Sequence, residues 1–535
     1  MKKLTFLTAS AALMFAACSE PLEEAVRDIE LPTDTVSVAE KQQTILGKQI
    51  ENPYSLNYMR KALEEVRKTS LSKAALNYEI NANYLHVRFL PANPEEYEQL
   101  LADSTIELFD RPMLCEIEQE SEAYHDPTLP EDAITWQYTT VPINYKFPKI
   151  EYEILDSCFV PEDEPETLTK SLRGFNPEIL TSIAFRLAGQ EYDEEPTLTK
   201  KRKVPSGQFR VWNTNIGDWS GIIGVKVKVY NGIRWDHTYT DINGNYKMSK
   251  HYATGLHYKI KFRTSDDIII NNLMFDLDAA DMGLGWHSKG GYDEDFNTNS
   301  KVWMWATVNN AVYIFRKQLC PHFNIPTPNL KLHIWAKNGI SSQKPSVTGS
   351  APMGRHIDIE LADWMELVSS ALDPMDTKNI LKKLAPDVII YKRNTTTAIY
   401  TNVFHEMSHV CHYTSVGKWF WKMYVKYIIH NSNYGNKNDE YSGFCGVGEM
   451  WGYYFGNYAC PKYYLNNTDE WNARNYWFNP GIILCLVKDA GLSERQIFDC
   501  MQSYITDHAS LKNELCKKYP SKDSLIKKCF KDYGF

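Results

Sequence analysis

The stretch T-N-V-F-H-E-M-S-H-V-C-H-Y, running from Thr401 to Tyr413, sets two histidines four residues apart with a glutamate directly after the first. At about 100° per residue on a helix, His405 and His409 fall within roughly 40° of each other, one turn apart, so both imidazoles can reach one ion. Ile399, Val403, Val410 and Tyr413 supply apolar positions along the same helix. Neutral imidazole suits Zn²⁺, and a pair already fixed on a helix costs little to organise. Glu406 projects beside the pair, where its carboxylate can bond a zinc-bound water and act as general base. Zinc brings the pKa of such a water to about 7, so hydroxide becomes available at neutral pH to attack a carbonyl. Without a metal, the same stretch is a helix with incidental histidines.

A catalytic zinc takes a third protein ligand and leaves one position open. His412 lies on nearly the same face, but roughly 10 Å along the axis from His405 at about 1.5 Å per residue, too far to share the ion. It is expected as a neighbour of the site. The chain does not continue as H-E-x-x-H-x-x-G-x-x-H, because His412 holds the glycine position and Ser415 the last histidine position, which excludes the metzincin arrangement. Glu449, in G-V-G-E-M-W-G-Y-Y-F-G-N-Y, opens an aromatic run in which a lone buried carboxylate is costly unless paired or bound to metal. The set His405, Glu406, His409 and Glu449 resembles the gluzincin class of metallopeptidases, in which two helix histidines and a glutamate from a following helix hold zinc. That resemblance implies Zn²⁺ as cofactor and a mixed α/β domain of the zincin type, spanning roughly Val302 to Tyr458. Here 39 residues separate His409 from Glu449, longer than the thermolysin-like spacing, and no Asp follows at the fourth position, so that family's outer shell of ligand partners is not carried over. Glu440 and Asp439 are alternative ligands. Glu449 can also be read as a carboxylate favoured by a helix N-terminus. His412, Tyr453, Tyr454 and Tyr441 are candidates for contacting an oxyanion or substrate. The segment G-S-A-P-M-G, Gly349 to Gly354, reads either as an edge strand that accepts an extended peptide or as an ordinary turn.

The chain around this stretch has 535 residues, more than one core usually organises, so two to four domains are expected. Hydrophobic residues at 43% and charged residues at 23% describe a globular protein. A net charge of −9, with no basic run longer than K-K-R-K at Lys200–Lys203, argues against nucleic acid as a partner. Lys2 and Lys3, the apolar Leu4–Ala17 and the ending Phe15-Ala16-Ala17-Cys18 resemble a bacterial lipoprotein signal. The resemblance implies cleavage before Cys18, acyl chains on that cysteine, and a mature protein anchored to a membrane without spanning it. A plain secretory signal is the alternative. Glu20, Glu23 and Glu24 just beyond suggest, again by resemblance, an outer-membrane location, the cell surface included. Of the ten later cysteines, Cys485, Cys500, Cys516 and Cys529 are the place to look for pairing; most are expected to be small buried hydrophobes.

The expected fold class is α+β and multidomain. After the signal (residues 1–17) and an acidic tether (18–48) comes an N-terminal α+β region (49–207), with a helix from Pro53 to about Arg67, a strand at Tyr84–Leu90, a helix around Glu95–Leu101, and short strands to Ser157. Residues 208–265 carry G-V-K-V-K-V-Y, an Asn-Gly turn in T-D-I-N-G-N-Y-K-M, and Tyr258–Phe262. This resembles the carboxypeptidase regulatory-like domain, a small antiparallel β-sandwich that carries no catalysis. The turn's Asp241, Asn243 and Asn245 do not form a calcium loop, since Tyr246 holds the position that needs glycine. Residues 266–535 are expected as the zincin-like domain with a helical C-terminal part. Its expected elements are a helix over Val302–Leu319 and strands at Leu330–Trp335, Arg355–Ile359 and Asp387–Tyr391.

Two functions follow. One is a membrane-anchored zinc metallopeptidase acting on protein or peptide. The other is a non-catalytic surface lipoprotein that binds protein or glycan through its N-terminal and sandwich regions. Glu406 favours the enzyme, because a structural zinc is usually closed by a fourth side chain and has no need of that carboxylate.

Overall fold

A computed structural model of the protein describes residues 18–19, 44–69, 73–119, 124–130, 133–161, 179–190, 202–252, 254–271, 278–337, 347–357, 385–431, 433–466, 471–474 and 476–535. The architecture is mixed α+β with several sheets and a helical C-terminal part.

In the N-terminal region, the helix Leu56–Thr69 buries Met59, Leu63 and Val66 against Leu180 and Ile183 of the helix Ile179–Leu187. The apolar spacing of three and four residues aims one stripe inward, as the sequence suggests. Tyr84–Leu90 is the central strand of a three-stranded antiparallel sheet, between Gln137–Pro142 and Glu151–Cys158. The helix Pro94–Ala102 starts where Asn93 Oδ1 accepts from Glu96 N at 2.9 Å, with proline at its first position.

The β-strands from residue 206 to 391 form two sheets. The larger runs in the order Arg234–Tyr239, Val225–Asn231, Leu256–Thr264, Ile269–Asn271, His333–Lys337, Val388–Tyr391, Val347–Ser350 and Cys18–Ser19, with Asp281–His287 also paired to Leu256–Thr264. The smaller joins Asn245–Lys247, Ser206–Asn213, Asp218–Gly221 and Glu294–Phe296. The expected boundary at residue 265 therefore falls in a tight turn between two strands of one sheet, where Arg263 opposes Ile269. Beyond it, Asp281–His287 and Glu294–Phe296 complete the two sheets. One hydrophobic core runs from Phe209 through Val227, Trp305 and Val403 to Phe530.

The valines of Val225–Asn231 enter that core, and their alternating lysines are covered as well. Lys228 donates to Leu108 O at 2.9 Å and pairs with Glu107 at 2.9 Å, and Lys259 pairs with Asp281 at 2.9 Å. Segments of the N-terminal region thus close the polar face of the sheet, and each buried ammonium there meets a carboxylate.

Ser300 caps a helix over Lys301–Ile314, which continues as a π-helical turn to Leu319. It is buried nearly all round, Asn309 and Asn310 included, because it lies between the larger sheet and the helix that carries the histidines. One expected strand is not formed: Arg355–Ile357 is a turn, and residues 358–359 lie outside the described residues. Met353 takes φ 52°, and the buried Asp387 carboxylate accepts from Arg355 N at 3.2 Å and meets His356 Nδ1 at 2.9 Å. The backbone is held by that side chain instead of a ladder. The strand that does form on this side is Val347–Ser350, antiparallel to Val388–Tyr391. In the C-terminal helices Cys485 is bonded to Cys529, while Cys500 and Cys516 are free. No helix among the described residues is long and apolar enough to cross a membrane.

Candidate metal centre

The helix Thr396–Asn431 begins where the Thr395 hydroxyl accepts from Ala398 N and Thr396 exchanges hydrogen bonds with Thr214, at 3.1 and 2.7 Å. Ile399, Val403, Phe404, Met407 and Val410 bury its apolar side, and His405, Glu406 and His409 are carried into the same interior. At Gly417, φ 77° breaks the helix in two and redirects its second half. Tyr424 thereby returns toward the motif. The following helix, Ser442–Trp451, delivers Glu449.

His405 Nε2 and His409 Nε2 stand 3.0 Å apart, and Glu449 Oε2 lies 3.5 Å from the first and 3.6 Å from the second. For bonds of about 2.0–2.1 Å in tetrahedral geometry, adjacent ligand atoms are separated by roughly 3.3 Å. The triangle therefore has the edges of three corners around one ion. Glu406 is also close, with one carboxylate oxygen within 4.8 Å of the two imidazole nitrogens. Between the two glutamates, Glu449 has the ligand spacing. Glu406 directly follows His405 on the helix. His405 is 3% exposed and His409, Glu406 and Glu449 are 0% exposed, so this polar set is enclosed and needs internal compensation.

Part of that compensation comes from the surroundings. Tyr424 donates its hydroxyl to Glu449 Oε1, and His405 Nδ1 meets Asn457 Oδ1 at 2.6 Å. Each contact fixes the orientation of a group whose other atom faces the cluster, the arrangement by which outer partners tune a metal ligand. Among the described residues, Glu449 Oε2 itself has no hydrogen-bond donor. A cation at the centre of the triangle would satisfy it.

No family model, curated protein or solved structure matches the chain.

The electrostatics of the cluster agree with its geometry. Burial disfavours charge on all of these groups. At His405, the Glu449 and Glu406 carboxylates more than offset burial and hold the imidazolium up at about 9. At Glu449, the same burial is outweighed by His409 and His405, which pull the carboxyl down to about 2. Burial prevails at His409, whose pKa falls. One positive charge thus sits between a neutral imidazole and a carboxylate, a position a divalent cation would take on displacing the proton.

The remaining candidates separate clearly. Tyr453 is brought to the site, with its ring edge-on to His405 at 4.8 Å and its hydroxyl 3.0 Å from that of Tyr434. His412 is enclosed by Phe420 and Trp421, its pKa pushed down to about 3 by burial and by His409, which makes it a neutral packing group. Tyr454 is not brought in, because its hydroxyl donates to Glu494 at 2.9 Å. Tyr441 is exposed, and Asp439 accepts from Tyr427 at 3.1 Å and from Asn436 N. Three features escaped the sequence reading. Tyr424 and Asn457 are the first two. The third is the stripe Gly448, Gly452, Gly456: a Cβ at Gly452 would stand 2.7 Å from His409 Cε1 and 3.1 Å from His405 Cε1, and one at Gly456 would collide with the His405 backbone. Three glycines spaced four residues apart are its signal.

Proposed function

We propose that the protein is a zinc-dependent metallopeptidase of the zincin type, lipid-anchored through Cys18. The observation that supports this most is the triangle of His405 Nε2, His409 Nε2 and Glu449 Oε2 with Glu406 beside it. His405, His409 and Glu449 would hold the zinc, which when bound supplies Lewis acidity to a carbonyl and to water. The protein's own groups do the rest. Glu406 accepts the proton of the attacking water and passes it to the departing amine, the two-step task of a positioned carboxylate. Asn457 and Tyr424 hold His405 and Glu449 in register. Tyr453, whose ring stands edge-on to His405, is the donor candidate for charge developing on the carbonyl oxygen.

The strand Val347–Ser350 supports a peptide as substrate. It passes directly beside the general base, since a Cβ on Gly349 would be 2.8 Å from Glu406 Oε1. An extended chain laddered along it presents backbone carbonyls to the cluster. The test is Glu406→Gln, assayed on a protein substrate such as casein. Loss of hydrolysis by a factor of 10² to 10⁴ with zinc content unchanged is expected; unchanged hydrolysis would refute the assignment.

A further inference from the structure

The edge beside Glu406 is already taken by the chain itself. Cys18 and Ser19 form an antiparallel ladder with Val347–Ser350, Cys18 opposite Gly349 and Ser19 opposite Val347, with a slip of one residue between the two pairs. Gly349 is the residue whose Cβ would press on Glu406, so the laddered segment lies across the strand that flanks the general base. The imidazoles and carboxylates of the cluster are at the same time closed off from solvent. We propose that the segment at Cys18–Ser19 is an intramolecular inhibitor, seated on the peptide edge of the site and displaced before a substrate can bind. This rests on the peptidase reading above.

A ladder two residues long is weak by itself. Tethering changes its weight, because an intramolecular occupant acts at an effective concentration on the order of 1 mM. It would compete with peptides of modest affinity and leave the reacting groups untouched. The device also has a natural release. On the lipoprotein reading, acylated Cys18 belongs in a membrane, and a residue inserted there cannot stay paired beside Gly349. Anchoring and inhibition then exclude each other, and the chain becomes active where it is attached.

The experiment uses the full, unprocessed chain with quenched fluorescent casein. Ser19→Pro removes a backbone donor from the ladder. It is expected to lower KM about fivefold or more with kcat unchanged, as release of a competitor requires. In a Cys18→Ser background, Ser19→Cys with Val347→Cys is expected to form a disulfide under mild oxidation, the added oxidant taking the two electrons, seen as a mass loss of two hydrogen atoms, that suppresses hydrolysis until it is reduced. A Ser19→Cys, Ile216→Cys control should not cross-link. Equal KM for Ser19→Pro and its parent, or cross-linking no better than the control, would overturn the inhibitor. Absence of hydrolysis by every variant, Ser19→Pro included, would instead sink the peptidase reading and the inhibitor with it.

Discussion

At the scale of single residues, the division of labour between two glutamates is the sharpest claim. Glu406 and Glu449 are equally buried and near the same imidazoles, and Glu449 Oε2 stands at ligand spacing from both, at 3.5 and 3.6 Å. Tyr424→Phe removes the donor to Glu449 Oε1 without opening a cavity. It is expected to weaken zinc binding by a factor of 10 to 100, measured by competition with a chelator. Asn457→Ala should act similarly through His405. The histidines and Glu406 were legible because their spacing is local and helical. Glu449 was legible because a carboxylate among Met450, Trp451 and Tyr453 needs an explanation. Tyr424 was not. It lies past Gly417, and a helical extrapolation from His409 sends it away from the site, whereas φ 77° at that glycine turns it back.

At the scale of elements, the site is built by the close approach of two helical segments. Gly448, Gly452 and Gly456 line the side of one that faces His412, His409 and His405 of the other. The aromatic run between these glycines hides the stripe from a hydropathy reading, and glycines at Gly446 and Gly448 look like punctuation. The π-helical stretch Gly452–Ala459 adds a further shift that no 3.6-residue pattern foresees, and brings Asn457 under His405. Gly456→Ala has no room, since its Cβ meets backbone instead of a movable side-chain end. It is expected to lower the melting temperature by several degrees and abolish zinc binding, by thermal unfolding and metal analysis. Gly452→Ala should leave more of the fold intact and displace the two imidazoles, losing zinc at a smaller cost in stability.

At the scale of the molecule, the α+β class and the order of sheet and helices were readable from alternation and helical spacing. The unity of the larger sheet was not. Strands from the sandwich stretch and from the histidine-bearing stretch are joined by Ile269–Asn271, which turns back locally on Arg263 and pairs in parallel with His333–Trp335, a long-range match that local patterns do not encode. The burial of the lysine face by Leu108 and Glu107 was equally hidden, because alternation alone assigns lysines to solvent. Burial also sets an acid limit on the whole chain. His86, His257, His333 and His508 each have their pKa lowered by burial to about 4 from 6.5. For a depressed pKa the unfolded chain binds more protons between these two values, so stability is present above pH 6.5 and falls as pH drops toward 4. Each imidazole contributes on the order of 2–3 kcal/mol to that loss. Denaturant midpoints between pH 7 and 4 should decline through this window, and replacing His508 by Gln should make the decline shallower. A midpoint flat across the window would contradict the burial of these rings.

If one metal ion is held by His405, His409 and Glu449, metal content must show it. Elemental analysis of the purified chain and of its Glu449→Ala variant is the measurement. About one zinc per chain is expected in the parent and a loss of most of it in the variant, with the fold retained by circular dichroism. A parent that binds no zinc at saturating metal, or a Glu449→Ala variant that keeps it with undiminished affinity, would contradict it.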